Sequence, residues 1–198
     1  MPPILATVVL MPPGDASDAD LHKSDTQVQG SKAFGAGELT FGSPEISDGP
    51  QLWDLASAAG NLDVNSRYHY LLWCRDFADT SVVARAADGR IAGFLTGYRR
   101  PSAPDTFFTW QVAVSPDFRR RGLARRMLDH LVDSLRPQGV RFVEATVTPD
   151  NKASIRLFES FAEANGADLA LDVLFSEREL GSGHESEVLH RIGPLAGR

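Results

Sequence analysis

The stretch Gln111-Val112-Ala113-Val114-Ser115-Pro116-Asp117-Phe118-Arg119-Arg120-Arg121-Gly122-Leu123-Ala124 passes from an apolar strand through a turn into an arginine-rich loop, and the loop opens a helix. Leu123, Met127, Leu128, Leu131, Val132 and Leu135 recur at the spacing of one buried helical face. Glycine at 122 has no Cβ to keep a ligand away from the backbone. The first helical turn carries N–H groups with no intrahelical partner and the positive end of the helix dipole. A strand, a loop of the form Arg-x-x-Gly-x-Ala and a helix together predict a pyrophosphate cradle. No Lys-Ser or Lys-Thr pair closes the loop and it holds one glycine, which excludes a P-loop and a dinucleotide fingerprint.

A second strand-to-helix unit follows. Val140 to Val147 reads as a strand, and Asn151-Lys152-Ala153-Ser154 opens a helix with Ile155, Phe158, Phe161 and Ala162 on its buried side. With these two units the chain resembles the GNAT acetyltransferase superfamily. The resemblance implies an acetyl-CoA-dependent enzyme, with acetyl-CoA as cosubstrate. The pyrophosphate falls to the loop residues Arg119, Arg120, Arg121, Gly122, Leu123 and Ala124, and the pantetheine arm to the strand at Val112 and Val114. Asn151 and Ser154 are placed beside the cofactor. Many members carry a tyrosine on the last motif helix to protonate the leaving thiolate; the corresponding residue here is Phe158.

Composition bounds the rest. A chain of 198 residues, 42% hydrophobic, suits one globular domain with its own core. A net charge of −6 argues against nucleic acid as the main partner. The one cysteine, Cys74, excludes an internal disulfide framework and reads as a small core residue. No Cys/His cluster has metal-ligand spacing, so no metal is expected. Ile4 to Met11 is too short to span a bilayer and lacks the flanks of a secretory signal. The following Asp/Ser/Gly/Ala-rich stretch cannot bury enough surface to offset the entropy of ordering. The reading is a disordered tail over residues 1–37, a catalytic domain over 38–198, and a cytoplasmic protein.

Within that domain, Leu39 to Ser43 reads as a first strand. Asp48 is expected to cap one helix, and Asn65 or Ser66 a second. Two strands flank Asp88-Gly89, a strong hairpin signal. The two strand-to-helix units come next, Gly166 ends the second helix, and Leu169 to Phe175 and Val188 to Ile192 close the chain as strands. The order β-α-α-β-β-β-α-β-α-β-β predicts an α/β fold of the superfamily's type, a twisted mixed sheet of about seven strands with helices on both faces.

The acceptor side has its own signature. The segments Leu62 to Tyr70, Trp110 to Val112, Glu144 to Ser154 and Val188 to Pro194 resemble, in this order, the diaminobutyrate acetyltransferase branch. That resemblance implies acetylation of the N4 amine of L-2,4-diaminobutyrate, the step leading to the compatible solute ectoine, and a homodimer. Such a substrate carries two ammonium groups and one carboxylate. Asp63, Glu144 and Glu187 (or Glu185) are suitable acceptors for ammonium. Tyr68 and Trp110 offer aromatic faces to a cation, and Thr146 belongs to the same substrate-binding set. Each also has a plainer reading: Asp63 as a helix cap, Trp110 and Tyr68 as core, Glu144 and Glu187 as solvated positions. Glu144 is the candidate base that relieves the ammonium of its proton, with His69 second, and Tyr68 or water is the candidate acid. Two other readings stay open at this point, an acetyltransferase of another small amine or a protein amino group, and a non-catalytic acyl-CoA sensor.

Overall fold

The computed structural model describes residues 39–58, 65–181 and 183–196. The tail expected over residues 1–37, and Asp63, lie outside the described residues. In chain order come β1 (Thr40–Gly42), α1 (Gly49–Ala58), α2 (Arg67–Asp76), β2 (Val82–Arg85), β3 (Ile91–Arg100), β4 (Ala103–Val114), α3 (Leu123–Leu135), β5 (Phe142–Val147), α4 (Lys152–Asn165), β6 (Leu169–Phe175), α5 (Glu177–Leu180) and β7 (Glu187–Ile192). The strands form one sheet in the order β1-β2-β3-β4-β5-β7-β6. Every neighbouring pair is antiparallel except β4 and β5, which run parallel.

Alternation along the strands sorts the core into two layers. On one face α3 and α4 bury Leu123, Met127, Leu131, Leu157, Phe158 and Phe161 against Phe107, Val112, Val143 and Ala145. On the other, α1 and α2 set Leu52, Ala56, Tyr70 and Cys74 against Val83, Phe94 and Ala113. Helix ends follow local chemistry. Ser66 caps α2 by accepting from His69 N–H at 3.4 Å, and Asn151 caps α4 by accepting from Ser154 N–H at 3.1 Å. Gly166 ends α4 at φ 57°, in the left-handed region.

Three expectations need amendment. Asp48 does not cap α1: it lies in a short 3-10 turn (Ile46–Asp48), accepts from Glu45 N–H and holds Arg85 through both oxygens, at 3.0 and 2.9 Å. The strand before the loop is longer than its apolar core, because β3 and β4 form a hairpin that turns at Pro101 and Ser102. One helical turn, α5, was not anticipated. Its Ser176/Glu179 capping box is legible, but no apolar periodicity accompanies it.

Two irregularities of β4 create the site. The parallel pairing of β4 with β5 covers only Thr106↔Phe142, Phe107↔Val143 and Phe108↔Glu144. Beyond that rung both strands continue, to Val114 and Val147, without pairing to each other. The second irregularity is a bulge: Thr96 pairs with Gln111 and Gly97 with Thr109, leaving Trp110 as the extra residue. Trp110 and Gln111 therefore both project toward α2.

Candidate active site

The parted strands expose backbone in a defined direction. Ser115 N–H donates to Ala92 O at 2.9 Å, which makes Ala92/Ser115 and Phe94/Ala113 the hydrogen-bonded pairs of the β3–β4 ladder. The N–H and C=O of Val112 and Val114 consequently point away from β3, into the gap left by β5. Both valine side chains are buried in the α3/α4 layer. The strand edge required to pair with an extended pantetheine arm is present.

At the open end of this gap lies the loop. Gly122 sits at φ 65°, a left-handed conformation that L side chains avoid, and it is the N-cap residue of α3. Arg120 precedes it at φ 58°. A Cβ at Gly122 would meet no heavy atom of the protein within 4 Å, so the space beyond the backbone is free for a ligand. Leu123 and Ala124 are buried and seat the helix, which aims its first N–H groups at that space. Arg120 and Arg121 are exposed, and Arg121 lies over the Phe118 ring at 5.6 Å. Arg119 turns back, its Nε donating to Val114 O at 3.4 Å. Backbone donors, a helix N-terminus and two outward guanidiniums suit a pyrophosphate. Asn151 and Ser154 stand across the gap at the start of α4, where Asn151 acts as the helix cap.

The acceptor face of the sheet, the one toward α2, holds an aromatic wall. Trp110 stacks on Trp73 with centroids 5.4 Å apart, and His69 and Tyr98 lie 6.3 and 6.5 Å from it. Burial lowers the His69 pKa, so its ring is neutral at pH 7. Tyr70 donates to Gln111 Oε1 at 3.0 Å, and burial raises its pKa to about 12. Nε1 of Trp110 and Nε2 of Gln111 are buried with no hydrogen-bond partner among the described residues. Burial also raises the pKa of the Cys74 thiol, to about 11, which fits a core residue and no nucleophile.

Glu144, 2% exposed, lies on this face at the last rung before the strands part. Its Oε2 accepts from Arg100 at 2.9 Å and its Oε1 from Arg191. Arg191 also stacks on Phe142, 4.1 Å from the ring centroid. Both oxygens of Glu144, the expected base, are thus held by guanidiniums, and taking a proton would require it to release one and leave that charge unmatched. Thr146 and Glu187 are buried farther along the same face, and Glu187 pairs with Phe175 at the start of β7. Tyr68 is 70% exposed. Helix α2 buries Tyr70, Trp73 and Cys74, and position 68 lies about 160° round the axis from position 70 at 3.6 residues per turn. Its ring therefore stays outside the aromatic wall. Phe158 is fully buried in the α3/α4 layer, 6.2 Å from the His190 ring, and brings no hydroxyl to the gap.

Sequence reading missed Arg100, Arg191, Tyr98 and Trp73. For Trp73 the signal exists, in the Tyr70/Trp73/Cys74 spacing. The arginines carry none, since their partner is 44 and 47 positions away. Among the described residues no group of His, Cys, Asp and Glu is arranged to hold a metal ion, and no helix is long and apolar enough to cross a membrane.

Residues 50–162 match the model of the Acetyltransferase (GNAT) family. The L-2,4-diaminobutyric acid acetyltransferase of Streptomyces coelicolor is 51% identical over 161 residues, 80% of this chain and 95% of that protein. The chain belongs to the diaminobutyrate acetyltransferases of the GNAT family. Its relative in Chromohalobacter salexigens is 44% identical over 152 residues, 77% of this chain and 79% of that one. Among solved structures, the diaminobutyrate acetyltransferase of Paenibacillus lautus, in complex with its substrate L-2,4-diaminobutyric acid and coenzyme A, superposes with a TM-score of 0.77. It is 39% identical, and the match covers 82% of this chain and 99% of that one.

Proposed function

We propose that this chain transfers the acetyl group of acetyl-CoA to the side-chain amine of L-2,4-diaminobutyrate, giving N4-acetyl-L-2,4-diaminobutyrate. The observation that carries the reading is the likeness to the Paenibacillus lautus enzyme bound to diaminobutyric acid and coenzyme A, extending over 82% of this chain. The local chemistry supports it. Acetyl-CoA lies along Val112 and Val114 with its pyrophosphate on the Arg119–Ala124 loop, and Asn151 and Ser154 flank it. The diamine enters from the α2 side. There Trp110 presents an aromatic face, Thr146 a hydroxyl, and Asp63 and Glu187 hold ammonium. The attacking amine must first lose a proton, because an alkyl ammonium has no lone pair. Neutral His69, beside Trp110, or a water receives it. Tyr68, at the start of α2, adds a further aromatic face for the diamine, and it or solvent protonates the departing thiolate.

The setting follows from the product. N4-acetylated diaminobutyrate is the precursor of ectoine, so the enzyme serves osmotic protection in the cytoplasm. A homodimer completes the reading: the outer strand β6 exposes Leu171, Val173, Leu174 and Phe175, an apolar edge that needs a cover. The deciding assay measures thiol release from acetyl-CoA against a panel of diamines, amino acids and peptides, with NMR of the product. Diaminobutyrate should be the preferred acceptor and carry its acetyl on N4. Preference for a peptide, acetyl on the α-nitrogen, or no turnover would each reject the proposal.

A further inference from the structure

We propose that Arg100 and Arg191, positioned by Glu144, form the subsite for the α-carboxylate of the acceptor and make the enzyme selective for an amino-acid diamine over a plain diamine. The inference rests on the diaminobutyrate reading and adds to it.

The starting point is a charge count. A buried carboxylate needs one cation to offset it, and a second brings further desolvation cost with no charge left to match. Glu144 has two, and the trio carries a net charge of +1. Both arginines donate through a single Nη1, one to each carboxylate oxygen. Each guanidinium has five N–H donors, so donors remain on both. The Glu144 side chain is 2% exposed while those of Arg100 and Arg191 are 38% and 37% exposed, so the acid is the buried anchor and the arginines stay part-accessible.

Position supplies the second part. Glu144 stands on the rung where β4 and β5 part, and on the sheet face that bears the aromatic wall. Tyr98 joins the two regions. Its ring contacts Phe108 at 5.4 Å and Trp110 at 6.5 Å, and its hydroxyl feels the charges of both Arg100 and Glu144. Arg191 is further steadied by Phe142 beneath it. Two restrained guanidiniums at the crotch, next to a wall that favours cations, complement a molecule with a carboxylate at one end and an ammonium at the other. Seated there, the carboxylate leaves the side-chain amine free to reach the gap that exposes Val112 and Val114.

The test compares two acceptors at saturating acetyl-CoA in the full-length enzyme. L-2,4-diaminobutyrate has the carboxylate; 1,3-diaminopropane keeps both amines at the same spacing and lacks it, and 2,4-diaminobutanamide keeps the shape without the charge. Arg100→Met and Arg191→Met should each lower the ratio of kcat/KM for diaminobutyrate to that for either analogue without the carboxylate by about 10- to 150-fold, chiefly through KM. Arg100→Lys and Arg191→Lys retain a cation for Glu144 and lose the fork, so they should fold and show a smaller fall in the same ratio. A purely structural role would slow all three acceptors together. An unmoved ratio in the methionine variants, or in the lysine variants where the methionine forms do not fold, overturns the proposal. A wild-type enzyme that leaves diaminobutyrate unacetylated rejects the parent reading itself.

Discussion

Two residues show how a single position sets both stability and chemistry. Gly122 occupies φ 65° with open space where a Cβ would stand. A valine there meets no protein clash, yet forces a β-branched residue into the left-handed region at a cost of about 1–3 kcal/mol. It also projects a branched group over the loop. Gly122→Val should weaken acetyl-CoA binding about tenfold or more, on the order of 1.4 kcal/mol by calorimetric titration. Gly122→Asn tolerates the backbone better; it should recover the melting temperature more than the affinity, and equal recovery of both would refute a steric role at the ligand. Glu144→Gln removes the charge shared by Arg100 and Arg191. Breaking a buried pair typically costs several kcal/mol, and because both arginine side chains are part-exposed we expect about 3 kcal/mol in chemical denaturation. Its KM for diaminobutyrate should rise as the arginines lose their anchor. A general base would leave a different trace, a kcat deficit that shrinks at high pH as free amine accumulates. Such a recovery in Glu144→Gln would restore the base reading.

At the scale of elements, the sequence carries what is local and periodic. The α3 rhythm, the Asp88-Gly89 hairpin, the Asn151 cap and Gly166 each rest on residues a few positions apart, and each stands where local chemistry put it. The parting of β4 from β5 and the Trp110 bulge are different in kind. They depend on how one strand registers against its neighbours, which no window along β4 contains. The same holds for the Arg100–Glu144–Arg191 trio, assembled from β3, β5 and β7. Tyr68 against Tyr70 was decidable from helical phase, since Trp73 and Cys74 fix the inward face. Gly97 marks where the bulge becomes visible in chemistry. An added Cβ would lie 2.3 Å from the Phe107 ring and 2.5 Å from Phe108 O, and the carbonyl belongs to the paired strand. Gly97→Ala should therefore destabilise the fold by about 1–3 kcal/mol, as overpacking does. It should also disturb the Trp73–Trp110 stack, lowering the tryptophan near-UV dichroism while the far-UV signal persists. An alanine variant with unchanged near-UV dichroism and melting temperature would show that the β3–β4 register adjusts freely.

For the whole molecule, the buried titratable groups predict a bounded pH window of stability. Burial lowers the pKa of His69 and His190 below 6.5, so the folded chain keeps both rings neutral where the unfolded chain protonates them. Above pH 6.5 neither state binds those protons and the histidines add no slope. As pH falls below 6.5 the unfolded state binds more protons, and stability declines until the lower folded values are passed. At the alkaline end the sign reverses. The unfolded chain loses the Cys74 proton near pH 9 and the Tyr70 proton near pH 10, whereas burial holds them in the folded state to about 11 and about 12. Stability therefore falls again as pH rises through 9 and 10. Between the two ranges none of these four groups binds protons differently in the folded and unfolded chain, so a plateau should separate the two slopes. Thermal melts from pH 5 to 11 should show a flat maximum between about 6.5 and 9. Cys74→Ala should extend its alkaline edge toward that set by Tyr70. His69 belongs to the aromatic wall, and a saturating diamine beside it further disfavours the imidazolium, so ligand should steepen the acid slope while leaving the alkaline one in place. An acid slope unchanged by diaminobutyrate would place the bound ammonium away from His69 and remove that ring from the proton route.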